Sequence, residues 1–263
     1  MKFEIIDFHT HPFIDAKNNI CNHKEIIEMN ADKTLEMCKE LGFSKICGSV
    51  VELHANDKYE KMIDKIIACN SIALELSDYY KGFYIPGFHI HPDFVEESLD
   101  EIKRMDEKGV KLVGELVPYG DGWNYANENL HELLDEIGKR NMIVNFHTTP
   151  QESEAMDEMV KNHPDVIFVA AHPGEFKVLM EHAERGMKYE NYYVDVSGTG
   201  MFRHGAVKRL IDTIGADRVV FGSDFPTCNP AMFVGGILFD SLIKDSEKEL
   251  IFSGNAKRIL NLK

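Results

Sequence analysis

The feature that most limits the fold of this chain is a regular alternation of short apolar runs with longer amphipathic segments. Eight short apolar runs predict strands at 3–9, 45–50, 83–88, 110–117, 142–147, 166–172, 192–197 and 218–224. Segments with apolar residues at helical spacing lie between them and predict helices, among them 31–42, 58–80, 95–109, 129–140 and 206–215. Several of these segments end at glycine, as helices often do.

This alternation favours a parallel sheet, because each helix returns the chain to the starting edge of the next strand. Eight such units in 263 residues fit a closed (β/α)8 barrel, which typically needs about 250 residues, better than an open doubly wound sheet. No linker or low-complexity tract interrupts the pattern. We therefore predict an α/β fold, a (β/α)8 TIM barrel, with residues 1–263 in a single domain.

The composition limits the kinds of binding partner, and the compartment, that we expect for this chain. The chain has 44 acidic against 29 basic residues and a net charge of −15, which argues against nucleic acid and favours a small-molecule substrate, neutral or cationic. No apolar run reaches the ~18 residues of a membrane span, and the N-terminal sequence does not resemble a signal peptide. The five cysteines form no CxxC motif, so we expect reduced thiols and a cytoplasmic location. A homo-oligomer stays open, because exposed barrel helices often pair.

Residues of the types that bind metals stand at the ends of five predicted strands. They are His9 and His11 in the first, Glu115 in the fourth, His147 in the fifth, His172 in the sixth and Asp224 in the eighth. A (β/α)8 barrel gathers its chemistry at the C-terminal ends of its strands. His9 and His11 lie two positions apart, so their imidazoles project from the same face of an extended strand.

Each of these residues also has a structural interpretation. His147 and His172 precede turn sequences, and Asp224 could cap a helix. Glu115 could be a buried acid in an ion pair. The combination favours a metal site, since imidazoles and carboxylates buried together need a compensating cation. Nitrogen and oxygen ligands make Zn²⁺ the default, with Mn, Fe or Ni as alternatives.

The order of the motifs resembles that of the metal-dependent amidohydrolase superfamily, over essentially the whole chain. The motifs are HTH at 9–11, VGELVP at 113–118, NFHTTP at 145–150, AAHPGE at 170–175, FGSDFP at 221–226 and GNAKRIL at 254–260. The likeness is greatest to the amidohydrolase-2 branch, which contains the aminocarboxymuconate semialdehyde decarboxylase relatives. Glu115 resembles the bridging glutamate of TatD-type enzymes.

The resemblance implies a metal-dependent hydrolase with a binuclear centre. His9, His11 and Asp224 would bind a first ion, His147 and His172 a second, and Glu115 would bridge them. A metal-bound hydroxide would attack an amide, ester, lactone or phosphoester bond of a small molecule, and Asp224 would transfer the proton.

Two alternatives stay open. In the decarboxylase-like branch, a single ion would be bound by His9, His11, His147 and Asp224. His172 would then act as catalytic acid or base on an aromatic or unsaturated carboxylic acid. The third interpretation is an inactive metal-binding scaffold, which predicts a broken ligand set, and no expected ligand is missing from the sequence.

Residues outside this set carry weaker signals. Lys111, in the fourth strand, lies about 13 Å below Glu115 at ~3.3 Å per residue, which argues against a bridging role.

Arg203 is a candidate substrate-binding residue, because a guanidinium pairs with carboxylate or phosphate. The alternative interpretation of Arg203 is a cap or an ion pair at the start of a helix. His91, at the end of the third strand, is a second candidate for substrate binding. The loop at 118–128 is a candidate wall or lid.

The remaining polar candidates are second-rank. His54 and His89 are rim residues, and Asp7 and Asn145 are expected either to orient metal ligands or to pack within the barrel. His131 and His182 lie on predicted helices and are expected at the surface, and His163 is expected in a turn.

Overall fold

Eight parallel strands form one sheet in sequence order in the computed structural model, which describes residues 2–14, 29–52, 58–198, 200 and 203–262. The strands are β1 (Ile5–Asp7), β2 (Phe43–Gly48), β3 (Tyr84–Phe88), β4 (Leu112–Leu116), β5 (Ile143–His147), β6 (Ile167–Ala171), β7 (Tyr192–Asp195) and β8 (Val219–Val220). All eight predicted strands are therefore confirmed, and so is the (β/α)8 fold.

The sheet curls until the segments that follow β1 and β8 meet. The backbone N–H of Phe8 donates to the carbonyl of Phe221 at 2.8 Å, and that of Asp224 donates to the carbonyl of His9 at 2.8 Å. These bonds bring the ends of the first and last strands together at one mouth.

Helices alternate with the strands. They are α1 (Ala31–Glu40), α2 (Met62–Tyr80), α3 (Val95–Glu107), α4 (Pro118–Asp121), α5 (Leu130–Lys139), α6 (Ser153–Asn162), α7 (Phe176–Lys188), α8 (Ala206–Ile214), α9 (Pro230–Leu238), α10 (Asp245–Glu249) and α11 (Asn255–Ile259). In α8 the buried residues Val207, Leu210, Ile211 and Ile214 recur at helical spacing and face the sheet side of the core. Within the described ranges, no helix is both long and apolar enough to cross a membrane.

Alternate residues of the strands divide between two apolar clusters. In β5, Val144 and Phe146 join the larger cluster, to which the helices contribute, whereas Ile143 joins a smaller cluster with Tyr193 of β7. Side chains two apart share a face of a strand, so His147 projects from the same face as Ile143, into the barrel. The smaller cluster therefore forms an apolar floor beneath the polar residues of the mouth.

Candidate metal centre

The six predicted ligands form one cluster at the C-terminal mouth of the barrel. His9, His11, Glu115, His147, His172 and Asp224 make up three overlapping sets of three, and within each set the ligand-type atoms lie within 4.8 Å of one another. Glu115 and His147 lie in β4 and β5, and the other four lie in the segments that follow β1, β6 and β8, as the strand-end pattern predicts.

Glu115 lies at the centre of this cluster. Its Oε2 atom is 3.4 Å from Nε2 of His9 and 3.3 Å from Nε2 of His11. Its Oε1 atom is 3.0 Å from Nδ1 of His147 and 3.1 Å from Nε2 of His172. The two oxygens of one carboxylate therefore face two different pairs of imidazoles.

Asp224 closes the cluster on the side of β8. Its Oδ1 atom is 3.5 Å from Nε2 of His11, and its Oδ2 atom is 3.8 Å from Nε2 of His172. Asp224 and His172 both adopt left-handed backbone conformations, with φ of 57° and 53°. Such conformations cost a residue other than glycine about 1 kcal/mol or more, so the surrounding structure holds both side chains in place against strain.

Hydrogen bonds behind the rings determine which nitrogens face the cluster. Nδ1 of His9 donates to Oδ2 of Asp195 at 2.8 Å, and Nδ1 of His11 donates to the carbonyl of Ser49 at 2.9 Å. In the neutral rings, both Nε2 atoms are then unprotonated, and they lie 3.2 Å apart. Two lone pairs at that distance repel each other, so the donor set fits a bound cation.

The charges of the cluster are strongly coupled. Burial lowers the pKa of His9, but the carboxylates of Glu115 and Asp195 outweigh burial and hold that pKa well above its ordinary value. Burial raises the pKa of Glu115, but His9, His172 and His147 outweigh it and hold that pKa well below its ordinary value. In the described part of the chain, the ion pairs of Glu115 are all with histidines. A bound cation and protons on the imidazoles are thus alternative ways to balance these buried carboxylates.

Two polar residues of the site, Asp195 and Ser197, were not identified from the sequence. Both are fully buried, and Asp195 is the last residue of β7. Asp195 contacts His9, and Oγ of Ser197 lies 3.1 Å from Nδ1 of His172. The same strand-end pattern that pointed to the other strands could have identified Asp195.

Asp7 and Asn145 lie on the inner face, but their hydrogen bonds in the described residues reach no ligand ring. Oδ1 of Asp7 accepts from the backbone N–H of His9 at 3.2 Å and of Ser223 at 2.9 Å. Burial raises the pKa of Asp7 to about 7. The amide of Asn145 donates to the carbonyl of Val169 at 3.0 Å. Asp7 thus fastens β1 to the segment after β8, and Asn145 joins β5 to β6.

A cavity of about 600 Å³ opens above the cluster. Besides cluster residues, its walls include Val51, Val117, Tyr119, Thr148, Pro150, Glu175, Val178, Thr227 and Cys228. The ring of Tyr119 packs edge-on against His147, with centroids 4.9 Å apart. In the same loop, Tyr125 donates its hydroxyl proton to the carbonyl of His147 at 2.8 Å, and Trp123 packs behind Tyr125. The loop at 118–128 therefore forms one wall of the cavity, with Tyr119 facing it.

The two predicted substrate-binding residues lie elsewhere. Nε2 of His91 donates to the carbonyl of Asp121 at 3.0 Å, and its Nδ1 accepts from the backbone of Asp93 at 3.1 Å. Arg203 pairs with Glu175, the N-cap residue of α7, and lines a neighbouring groove. Neither His91 nor Arg203 is among the described residues of the cavity wall, so their assignment to substrate stays a prediction without a contact here.

Lys111 and the rim histidines also lie apart from the cluster. Lys111 pairs with Asp106 and is partly exposed, which agrees with the argument against a bridging lysine. Nε2 of His89 donates to the carbonyl of Val50 at 3.1 Å. His54 lies outside the described residues.

The prediction that His182 lies at the surface was wrong. His182 is buried, and its Nδ1 accepts a hydrogen bond from the hydroxyl of Tyr192 at 2.6 Å. His163 is buried at the C-terminal end of α6, and its Nε2 lies 2.7 Å from Nδ1 of the half-buried His131. The amphipathic pattern of α7 places His182 on the inner face.

Fold and cluster together are typical of enzymes built on a (β/α)8 barrel, with side chains of the types that bind metals at its mouth. The chain belongs to the amidohydrolase family, whose model matches residues 6–262. This match confirms the superfamily that the motif order resembles, whose members are metal-dependent enzymes. A comparison with curated proteins finds no match.

Solved structures share the fold along the whole chain. A 2,6-dihydroxybenzoate decarboxylase from Rhizobium matches with a TM-score of 0.73 and 16% identity, over 100% of this chain and 99% of that one. A dihydroxybenzoic acid decarboxylase from Polaromonas, with bound manganese, matches at 0.73 and 14%, over 99% and 97%. A probable 2-pyrone-4,6-dicarboxylic acid hydrolase from Acinetobacter baumannii matches at 0.71 and 13%, over 98% and 99%. At such identities the likeness establishes the fold alone.

Proposed function

We propose that this protein is a metal-dependent hydrolase that binds two divalent cations and acts on a small molecule. The observation that carries the proposal is the position of Glu115. Its Oε2 atom faces His9 and His11, and its Oε1 atom faces His147 and His172. A carboxylate placed between two ligand pairs is suited to bridge two cations, as in binuclear hydrolytic sites.

The remaining donors divide between the two positions. Oδ1 of Asp224 faces His9 and His11, at 3.8 and 3.5 Å from their Nε2 atoms, and would complete their set. Its Oδ2 atom lies 3.8 Å from Nε2 of His172. Nitrogen and oxygen donors without thiolate suit Zn²⁺, and Mn, Fe and Ni accept the same ligands. When bound, such cations polarise the scissile group of a substrate and lower the pKa of water.

The chain's own residues supply the proton transfer. Asp224 lines the cavity, and the thiol of Cys228 is a weak hydrogen-bond partner at 3.7 Å. An aspartate so placed can accept a proton from the attacking water and pass it to the leaving group. Val51, Val117 and Val178 supply apolar wall to the cavity.

The cavity indicates the size of the substrate. About 600 Å³ is within the usual range for small-molecule sites. We therefore place the substrate among small amides, esters, lactones and phosphoesters. The net charge of −15 agrees with a neutral or cationic molecule and not with a nucleic acid.

A decarboxylase is the second candidate, and the environment of His172 favours it. Nδ1 of His172 lies 3.1 Å from Oγ of Ser197, which lies 2.6 Å from Oδ1 of Asp195. A histidine connected in this way to a buried carboxylate suits a general acid. In this version one cation would be bound by His9, His11, His147 and Asp224, and His172 would protonate the substrate.

The test is an activity profile of the protein loaded with Zn²⁺ or Mn²⁺. The panel contains small amides, lactones, phosphoesters and aromatic carboxylic acids, with the Asp224→Asn variant as the control for contaminating enzymes. We expect hydrolysis of at least one of the first three classes, and its loss in the variant. Release of carbon dioxide from an aromatic acid as the sole turnover would establish the decarboxylase instead. No turnover by a fully loaded protein would favour the scaffold.

A further inference from the structure

We propose that Asp195 and Ser197 form one positioning unit that orients His9 and His172 together, and thereby couples the two halves of the metal centre. The inference rests on the two-cation site proposed above. It concerns residues behind the ligands, at the end of β7 and just after it; residues 192–195 of this strand are outside the three ligand sets.

The two carboxylate oxygens of Asp195 have separate partners. Oδ2 accepts a hydrogen bond from Nδ1 of His9 at 2.8 Å. Oδ1 accepts from the hydroxyl of Ser197 at 2.6 Å and from its backbone N–H at 2.9 Å. One carboxylate therefore holds a ligand ring with one oxygen and a serine side chain with the other.

Ser197 connects Asp195 to His172, in the second half of the site. Because its hydroxyl proton is donated to Asp195, its Oγ atom is an acceptor for the N–H groups around it. Nδ1 of His172 lies 3.1 Å from Oγ, and Nδ1 of His9 lies 3.2 Å from it. His172 is thus held with its proton on Nδ1 and with Nε2 facing Glu115 at 3.1 Å.

The packing leaves these side chains little freedom. Asp195, Ser197 and His9 are all fully buried. A Cβ atom added at Gly222 would lie 2.9 Å from Cβ of His9 and 3.3 Å from Cβ of Asp195, so the backbone of the neighbouring segment presses against the pair. Buried hydrogen bonds that orient the rings of ligand histidines typically raise metal affinity about 10–100-fold.

The unit predicts an unequal effect of its two members. Replacing Asp195 by Asn removes its charge and turns one of its two accepting oxygens into an NH2 donor. The remaining oxygen can accept from His9 or from Ser197 but not from both, so the connection between the two halves of the site is broken. Replacing Ser197 removes the partner of His172 and leaves the bond between Asp195 and His9 in place. The first change should therefore weaken the binding of both ions, and the second should weaken mainly one.

Calorimetric titration of the metal-free protein with Zn²⁺ tests this inference. The variants are Asp195→Asn and Ser197→Ala. The matched control is Asp7→Asn, the same change at a buried aspartate whose Oδ1 accepts from the backbone N–H groups of His9 and Ser223. We expect Asp195→Asn to weaken both dissociation constants, and Ser197→Ala to weaken one of them, each by about tenfold or more. The control should stay within about threefold of the unmodified protein, since an amide oxygen can replace the accepting oxygen of Asp7.

Unchanged constants in Asp195→Asn or in Ser197→Ala, with the fold intact by circular dichroism, would overturn the inference. If Asp195→Asn does not fold, Ser197→Ala decides, because it removes one hydroxyl and adds no atom. A single bound ion in the unmodified protein would overturn the two-cation function. The positioning of His9 would then still be tested, by the effect of Asp195→Asn on that one constant.

Discussion

Oε1 of Glu115 lies 3.1 Å from Nε2 of His172, while the other oxygen of the same carboxylate faces His9 and His11. This relationship is the basis of our proposal that the centre binds two cations rather than one. A mononuclear site could use His9, His11, His147 and Asp224, and it would not need a carboxylate that reaches both pairs.

Replacement of Glu115 by Gln should lower the metal content from two ions per chain to one or none. The amide keeps the shape of the side chain but loses its charge and one of its two acceptor oxygens. Elemental analysis of the protein after dialysis against Zn²⁺ measures the content. A variant that retains two ions would contradict the bridging role.

Replacement of Asp224 by Asn should lower kcat at saturating metal by about 10²-fold or more, as expected for loss of a general base. The fold should survive, because Asn tolerates the left-handed conformation that Asp224 adopts at φ 57°. Steady-state kinetics and thermal unfolding of the same preparation separate these effects. Activity within tenfold of the unmodified protein would exclude Asp224 as the proton acceptor.

Replacement of Gly198 by Ala should disturb His172. Gly198 has φ of 74°, and an added Cβ would lie 2.5 Å from Nδ1 of His172. Gly109→Ala is the matched control, since its φ is 78° and no atom lies within 4 Å of the added Cβ. Both variants should lose about 1 kcal/mol of stability to backbone strain, which lowers Tm by about 2–4 °C in a chain of this size. Only Gly198→Ala should also lose metal affinity, and equal affinities in the two variants would refute the steric argument.

The stability of the fold should fall in acid, partly through His182. Burial, together with the neighbouring Arg185, lowers the pKa of His182 to about 3, whereas an unfolded histidine has a pKa near 6.5. Above pH 6.5 the ring is neutral in both the folded and the unfolded state, so the buried ring does not reduce the free energy of unfolding there. As the pH falls towards 3, the unfolded chain takes up a proton that the folded chain does not, so the free energy of unfolding falls by up to about 1.4 kcal/mol per pH unit.

His182→Gln should therefore flatten the dependence of stability on pH between about 6 and 4. A glutamine can still accept the hydrogen bond from the hydroxyl of Tyr192. Urea unfolding at a series of pH values gives the slope for both proteins. An equally steep slope in the variant would show that His182 is not among the groups responsible.

The strands and the ligand cluster could be predicted from the sequence because both follow from local regularities. Period-two and helical patterns occur within short segments, so they can be recognised locally. A barrel then places the ends of strands that are distant in sequence side by side. His147 and His172 could thus be placed beside each other, and their ring centroids lie 4.8 Å apart. The burial of His182 follows the same kind of pattern, because it lies one turn after Leu179 on the buried face of α7.

The partners of individual side chains could not be predicted in the same way. A carboxylate at a strand end can face a cation or the back of a ligand ring, and this depends on its depth in the barrel. Asp195 takes the second position, behind His9. Arg203 follows β7 and Glu175 follows β6, and their ion pair is a tertiary contact that no periodicity encodes.

The most direct test of the two-cation hydrolase is the number of metal ions per chain in the active protein. The metal-free protein is titrated with Zn²⁺ or Mn²⁺, and bound metal and turnover of a hydrolysable substrate are measured on the same samples. Two ions per chain are expected, with full hydrolytic activity only when both are bound, because the oxygens of Glu115 face separate histidine pairs. Full activity at one ion per chain would contradict the account.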